Sequence, residues 1–185
     1  MQLNRYNKGN YSIAAKLPVQ ILWFFVGSGL FKSYWLPMSG LKVAILRLFG
    51  AKIGQGVRIK PGVRVKFPWE LEIGDHGWIG ERVWLDNLAK ITIADHVCIS
   101  QDAYLCTGNH DWSDPQFTLI TKEIYLEKGC WIGARATVGP GVTVGAGAIL
   151  GLGSVTSKSL EPMTIYAGNP AIAVKTRVIK DHDQE

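Results

Sequence analysis

Only three cysteines occur in 185 residues, and Cys98, Cys106 and Cys130 show no paired spacing. No cleavable signal peptide opens the chain, and both features fit a reducing cytoplasm. Lys/Arg runs and nucleic-acid motifs are missing too, so a nucleic-acid partner is not expected. The strongly apolar stretch Leu17 to Phe31 stops at 15 residues, is interrupted by Gln20, Gly27, Ser28 and Gly29, and meets Lys32. That falls short of the roughly 20 residues a membrane span needs.

What the chain has in abundance is a six-residue beat of Ile, Leu or Val. It runs through Ile53, Ile59 and Val65; Ile73, Ile79 and Leu85; Ile93, Ile99 and Leu105; then Leu126, Ile132, Val138, Val144 and Leu150. The fifth residue of each hexad is small or β-branched, as at Val57, Val83, Ala103, Ala136 and Ser154. Six is not a multiple of 3.6, so no helix keeps these positions on one face. Short strands joined by tight corners do, with one aliphatic per strand turned inward. A fixed repeat of this kind marks a solenoid. Three hexads make one coil, and the phase places coils at about 53–70, 73–90, 93–110, 126–143 and 144–161. At roughly 4.8 Å between stacked strands, five coils give a prism about 24 Å tall. Glycines such as Gly74, Gly80, Gly133 and Gly151 are expected at corners and close backbone approaches.

A hydrophobic content of 47% over this length suits one domain with terminal attachments. Residues 1–50 read as an N-terminal helical and apolar segment, 51–161 as an all-β parallel β-helix with a loop at 111–125, and 162–185 as a C-terminal extension. Leu17 to Phe31 is expected as a helix capping the prism or packing on its side. The competing expectation is a peripheral membrane contact through Trp23, Phe24, Phe25 and Trp35, flanked by Lys16 and Lys32. Leu41 to Phe49 reads as an amphipathic helix with Lys42 and Arg47 on its polar side, ending at Gly50. The net charge of +5 and pI of 9.1 favour a nucleotide-phosphate cofactor or an anionic membrane surface.

The beat fails once. After Leu105 it resumes only at Leu126, and the 15 residues Asp111 to Tyr125 form an excursion. Long loops on rigid scaffolds commonly carry function. His110 closes the hexad before it, in Cys106-Thr-Gly-Asn-His-Asp-Trp112. His76 and His96 occupy solvent-facing corners one coil apart, and His182 lies in the charged tail. His110 alone stands where the repeat breaks. Cys106 nearby admits a Cys–His nucleophile reading, although packing alone explains a small residue there.

The run from Ile132 through Gly139-Pro-Gly-Val-Thr-Val-Gly-Ala-Gly-Ala148 resembles the hexapeptide-repeat acyltransferases over about residues 41–178. The resemblance implies left-handed prisms, homotrimers and acetyl-CoA as co-substrate. Within that family the chain most resembles colanic-acid and exopolysaccharide O-acetyltransferases, through Leu46-Arg-Leu-Phe-Gly-Ala-Lys-Ile-Gly54 and the His110 segment. The family's catalytic histidine sits in a Thr-Gly-His setting, matched here by Thr107-Gly-Asn-His110 with Asn109 inserted. The resemblance makes His110 a general base, suited to activating a sugar hydroxyl near pH 7. Its other ring nitrogen then needs an acceptor, expected to be a loop backbone carbonyl in preference to Asp111 or Asp114. The resemblance places acceptor contacts at Asp86, Asn87, Asn109 and Trp112. Cofactor contacts fall at Trp131, Gly133, Ala134, Gly151, Leu152, Ser157 and Lys158. Ile172 stands where a basic residue usually follows the closing Ala-Gly-x-Pro turn, so Lys175 and Arg177 would meet the cofactor phosphates. No metal is expected. Two other functions fit the same prism: a zinc lyase of the carbonic-anhydrase type, whose nearest histidine candidates are His96 and His110, and a non-catalytic repeat scaffold.

Overall fold

The six-residue beat closes into a parallel β-solenoid of about six turns in the computed structural model, which describes residues 1–180. His182 and the end of the C-terminal extension lie outside the described residues. Five of the turns each contribute one strand of two or three residues to each of three faces. The first face stacks Lys52–Ile53, Leu71–Ile73, Ile91–Ile93, Ile124–Leu126 and Thr143–Val144. Arg58–Ile59, Trp78–Ile79, Cys98–Ile99, Trp131–Ile132 and Ile149–Leu150 stack on the second, and Arg64–Val65, Trp84–Asp86, Tyr104–Cys106, Thr137–Val138 and Val155–Thr156 on the third.

Registers agree with the predicted phase: Ile53 lies opposite Ile73, Ile73 opposite Ile93, Ile93 opposite Leu126, and Leu126 opposite Val144. Every aliphatic of the beat is buried in one continuous core. Each such side chain contributes roughly 1.5–3 kcal/mol by leaving water. The second face gains a rung beyond the five expected coils, because Thr164–Gly168 pairs in parallel with Ile149–Leu150. Ala171–Thr176 then folds back antiparallel and closes that edge.

Two helices precede the solenoid. Helix α1 (Leu17–Phe25) runs into a π-helical turn, Val26–Phe31. It packs on the side of the first coil through Trp23, whose indole N–H donates to the carbonyls of Val65 and Lys66 at 3.2 and 3.0 Å. Trp23 also packs against Phe31 and Phe49, so it cannot serve the membrane contact for which the sequence nominated it. Helix α2 (Ser39–Leu48) lies on the opening strands of the first coil and ends at Gly50, whose φ of +93° suits glycine. Lys42 departs from expectation. It is fully buried, not on the polar side: its ammonium donates to the Lys60 carbonyl at 2.7 Å, and burial lowers its pKa. Four methylenes reaching under the helix fill core space while one backbone acceptor receives the charge.

Candidate active site

The corner between the third and first faces carries the interruption. There, residues 107–123 leave the solenoid as a hairpin arm, with Gly108–His110 antiparallel to Leu119–Thr121. The arm is thus a two-stranded ribbon beginning at Gly108, more ordered than a loop over 111–125. Its tip is built by side chains that accept from their own backbone. Asp111 Oδ1 accepts from the Ser113 N–H and hydroxyl, and Asp114 Oδ1 accepts from the Gln116 N–H. The other Asp114 oxygen takes the Thr118 hydroxyl. Hydrogen bonds to the charged form hold both carboxyls below the usual carboxylate range: the Ser113 hydroxyl leads for Asp111, the Thr118 hydroxyl for Asp114.

This tip places Phe117 at a positive φ of 52°. Its ring stacks on the His110 imidazole with centroids 4.1 Å apart, and its carbonyl lies 3.0 Å from His110 Nδ1. A carbonyl only accepts, so in the neutral ring Nδ1 carries the proton and Nε2 keeps its lone pair. The orienting group is therefore a loop backbone carbonyl, as expected from the sequence, and the two aspartates act one step further out. Tyr6 meets the imidazole edge-on at 5.9 Å. The N-terminal residues reach it by lying along the arm: Gln2 N–H donates to the Pro115 carbonyl, and Leu119 N–H to the Asn7 carbonyl. Nothing in the sequence signalled that contact, since an Asx turn at Asn7 (its Oδ1 accepts from Gly9 N–H) marks a bend and not what it docks on.

Because the tip's donors lower the Asp114 pKa, its hold on the tip is present above the ordinary carboxylate pKa of about 3.9 and is lost as pH falls through its depressed folded value. Amides of 116–119 should stay protected from hydrogen exchange at pH 4 and lose protection only below it. Asp114→Ala should unprotect them at neutral pH.

Of the other predicted residues, Asp86, Asn87, Ser157 and Lys158 share the corner from which the arm leaves. Asn87 is fully buried and committed to the turn beneath it. Its Oδ1 accepts from the Lys66 and Phe67 N–H groups, and its Nδ2 donates to the Phe67 and Glu70 carbonyls. That corrects its assignment as an acceptor contact. Asn87→Ala strands the Phe67 N–H and should cost about 3 kcal/mol in urea unfolding. Asp86 is engaged by the Lys66 ammonium and the Tyr104 hydroxyl, both at 2.9 Å. Burial, followed by Cys106 and Asp86, pushes the Tyr104 phenol up. Asn109 Oδ1 accepts from the His110 N–H, while Trp112 stands fully out at the tip. Cys106 donates its thiol to the Gly108 carbonyl at 3.1 Å.

The remaining residues lie elsewhere. Gly133, Ala134, Gly151 and Leu152 form the corner between the second and third faces, and Trp131 stands outward on the second face with its indole N–H on Ser100 Oγ. A Cβ at Gly133 would lie 2.7 Å from the backbone of Gly151 and Leu152, and one at Gly151 would lie 3.1 Å from the Tyr166 carbonyl. Their lack of a side chain serves the close approach of the next coil of the same chain. Arg177 is at the corner between the first and second faces, donating to the Gly129 and Gly147 carbonyls. Lys175 is exposed on the closing strand. His76 and His96 stack at that first corner, ring centroids 5.1 Å apart, so His96 and His110 occupy different corners. One protomer therefore brings Ser157 and Lys158 to the corner of the arm, but not Trp131, Gly133, Ala134, Gly151, Leu152 or Lys175.

A polar cavity of about 440 Å³ opens beside the arm, lined by Asn10, Tyr11, Glu70, Lys90, Leu119 and Glu123 among others. Leu119 pairs with His110, so the cavity lies on the imidazole side of the ribbon. The Tyr11 hydroxyl is buried there without a partner, and burial, then Glu70 and Asp86, push its pKa up to about 12. Burial also raises Glu70.

The family model described as bacterial transferase hexapeptide (six repeats) matches residues 123–158. Over 159 residues, 85% of this chain and 86% of the relative, the sequence is 42% identical to WcaF of Escherichia coli (strain K12), provisionally named a colanic acid biosynthesis acetyltransferase. Among solved structures, the hexapeptide-repeat containing acetyltransferase VCA0836 from Vibrio cholerae superposes with a TM-score of 0.78 at 25% identity, over 88% of this chain and 94% of that one. Its complex with acetyl coenzyme A gives a TM-score of 0.76 at 24% identity, over 97% and 100%, and at that identity speaks for the fold alone.

Proposed function

We propose that this chain, which belongs to the hexapeptide-repeat acetyltransferase family, moves the acetyl group of acetyl-CoA to a hydroxyl of a sugar destined for an exopolysaccharide. The observation that carries the reading is the His110 imidazole, fixed through Nδ1 on the Phe117 carbonyl with Nε2 left to accept a proton. The acceptor hydroxyl gives its proton to Nε2 as its oxygen attacks the thioester carbonyl. The tetrahedral oxyanion is met by backbone N–H donors, then collapses and expels the CoA thiolate, which takes the proton back from the imidazolium. The cavity beside the arm, with a phenol, carboxylates and an ammonium on its walls, has the chemistry to hold a polyhydroxylated acceptor.

A homotrimer completes the site in this reading. Trp131, Ala134, Leu152 and Lys175 lie away from the corner that bears His110, so the cofactor-bearing coils would come from a neighbouring copy. Lys158 and Lys175 are the cations left for the cofactor phosphates once Arg177 is engaged by its two carbonyls. We place the reaction in the cytoplasm, where acetyl-CoA is at hand; among the described residues no helix is long and apolar enough to cross a membrane.

The test is an acetyl-CoA transfer assay against free sugars and polysaccharide repeat units, with acetylated product read by mass. Transfer to at least one sugar hydroxyl is expected. Absence of both acetyl-CoA binding and transfer would leave a scaffold, not an enzyme. Cys106→Ala should turn over at the wild-type rate, because its thiol is held by Gly108 and takes no part in a direct transfer; loss of turnover would restore a covalent route.

A further inference from the structure

Helix α1 is apolar on nearly every side, yet only one side of it is covered. Trp23 is its one buried residue. At 3.6 residues per turn Leu17, Ile21, Phe24 and Phe25 share the opposite side with Leu22 at its edge, and all five are exposed. A surface helix ordinarily turns polar residues to water and a buried one is covered all round; α1 does neither. Exposed Leu30, Trp35 and Met38 follow in the chain, with Trp35 94% exposed. Between α1 and the first two coils runs a groove of about 620 Å³, floored by Val65 and Phe67 and rimmed by Lys32, Arg64 and Lys66.

The segment that builds this face carries charge of one sign, although Lys66 at the rim is paired with Asp86 of the next coil. Residues 1–69 hold eleven of the twenty Lys and Arg and no Asp or Glu at all; the first acidic residue of the chain is Glu70. Lys16 directly precedes α1, and Lys32 follows its π-helical turn. An apolar helical face inside a wholly cationic third of the chain is complementary to a surface apolar within and anionic at its rim.

We propose that α1 lies flat in the interfacial layer of a membrane containing anionic phospholipid, with Leu17, Ile21, Phe24 and Phe25 among the acyl chains and Lys16 and Lys32 at the phosphates. A nine-residue helix is too short to cross the bilayer, so it rests in the plane of the surface. A symmetric contact with a second copy through the same face would bring two cationic ends together, whereas anionic headgroups neutralise them. The docking surface is separate from the His110 arm and does not depend on acetyl transfer.

Co-sedimentation of the full chain with vesicles of phosphatidylethanolamine and phosphatidylglycerol, against vesicles of phosphatidylcholine alone, tests this. The chain is expected to pellet with the anionic vesicles and to leave them as salt rises. Ile21→Glu with Phe25→Glu should weaken vesicle binding by at least about a hundredfold, with an unchanged circular dichroism spectrum, because both side chains are outside the core. Phe24→Gln is the gentler variant and should weaken binding about tenfold. Acetyl-CoA binding should be untouched in all of them. The proposal is overturned if the wild-type chain ignores anionic vesicles or if the double variant binds them equally well. It is also overturned if the double substitution splits an oligomer that never bound vesicles, which would assign the face to a second copy.

Discussion

Replacing His110 with alanine is expected to lower kcat by about two to four orders of magnitude, with acetyl-CoA affinity nearly unchanged. The fold should hardly notice. The imidazole is partly exposed on an arm outside the core, and its loss removes one stacked ring from Phe117 and an edge contact with Tyr6, each worth about 1 kcal/mol. The kinetic loss is larger because the reaction has no substitute base. Asp111 and Asp114 are nearest in sequence, but both are tied into the tip and held in their charged forms by its donors. Steady-state kinetics on a sugar acceptor, with calorimetric titration of coenzyme A, separate chemistry from binding. A loss of only a few-fold in kcat would remove His110 from the role of base and leave positioning as the main source of rate.

The scaffold was legible because its periodicity is a direct image of its geometry. One inward aliphatic per two-residue strand, three strands per turn, leaves a beat that no other regular structure produces, and Ile53 through Leu150 are all buried where the beat puts them. The small fifth positions follow the same logic: Val83, Ala103, Ala136, Ala148 and Ser154 are fully enclosed. His110 was legible for the complementary reason, as the one histidine at the place where the beat stops.

What could not be read depends on contacts between segments that share no period. Lys42 looks polar on a helical wheel, and only the Lys60 carbonyl beneath it explains its burial. Asn87 has the composition of a ligand-binding residue; whether its amide faces a sugar or four backbone groups is decided by the turn at 66–70. The docking of residues 2–7 on the arm rests on backbone bonds at Gln2 and Asn7, the Asn7 amide on Gln116 Oε1 and the Tyr6 ring on His110, none of which follows a repeat. Trp131, Gly133, Gly151 and Ser157 lie within one short stretch of sequence, and the triangular section distributes that stretch over different faces and corners.

The second large effect concerns Gly133, where the two explanations of a small residue make opposite predictions. If the glycine only admitted a pantetheine arm, Gly133→Ala would raise KM for acetyl-CoA and leave stability alone. The geometry requires the reverse. The added Cβ would sit 2.7 Å from the Gly151 carbonyl carbon and Leu152 nitrogen and 2.8 Å from the Leu150 carbonyl oxygen, all backbone, with the Gly133 N–H already on that oxygen at 2.7 Å. Backbone cannot swing aside as a side chain can, so the two coils must separate and the core strands beside them lose register. A cost of about 3 kcal/mol or more is expected in urea unfolding. Gly129→Ala is the control: its φ of +68° carries the left-handed penalty, but no atom lies within 4 Å of the new Cβ. That substitution should cost only about 1–2 kcal/mol, in line with His76 and His96 holding a φ of 58° on the same corner. Equal costs at the two sites would mean that backbone conformation, not coil spacing, dictates glycine along the solenoid. A cost at Gly133 well above that at Gly129 would show that the stack of coils itself excludes the methyl group.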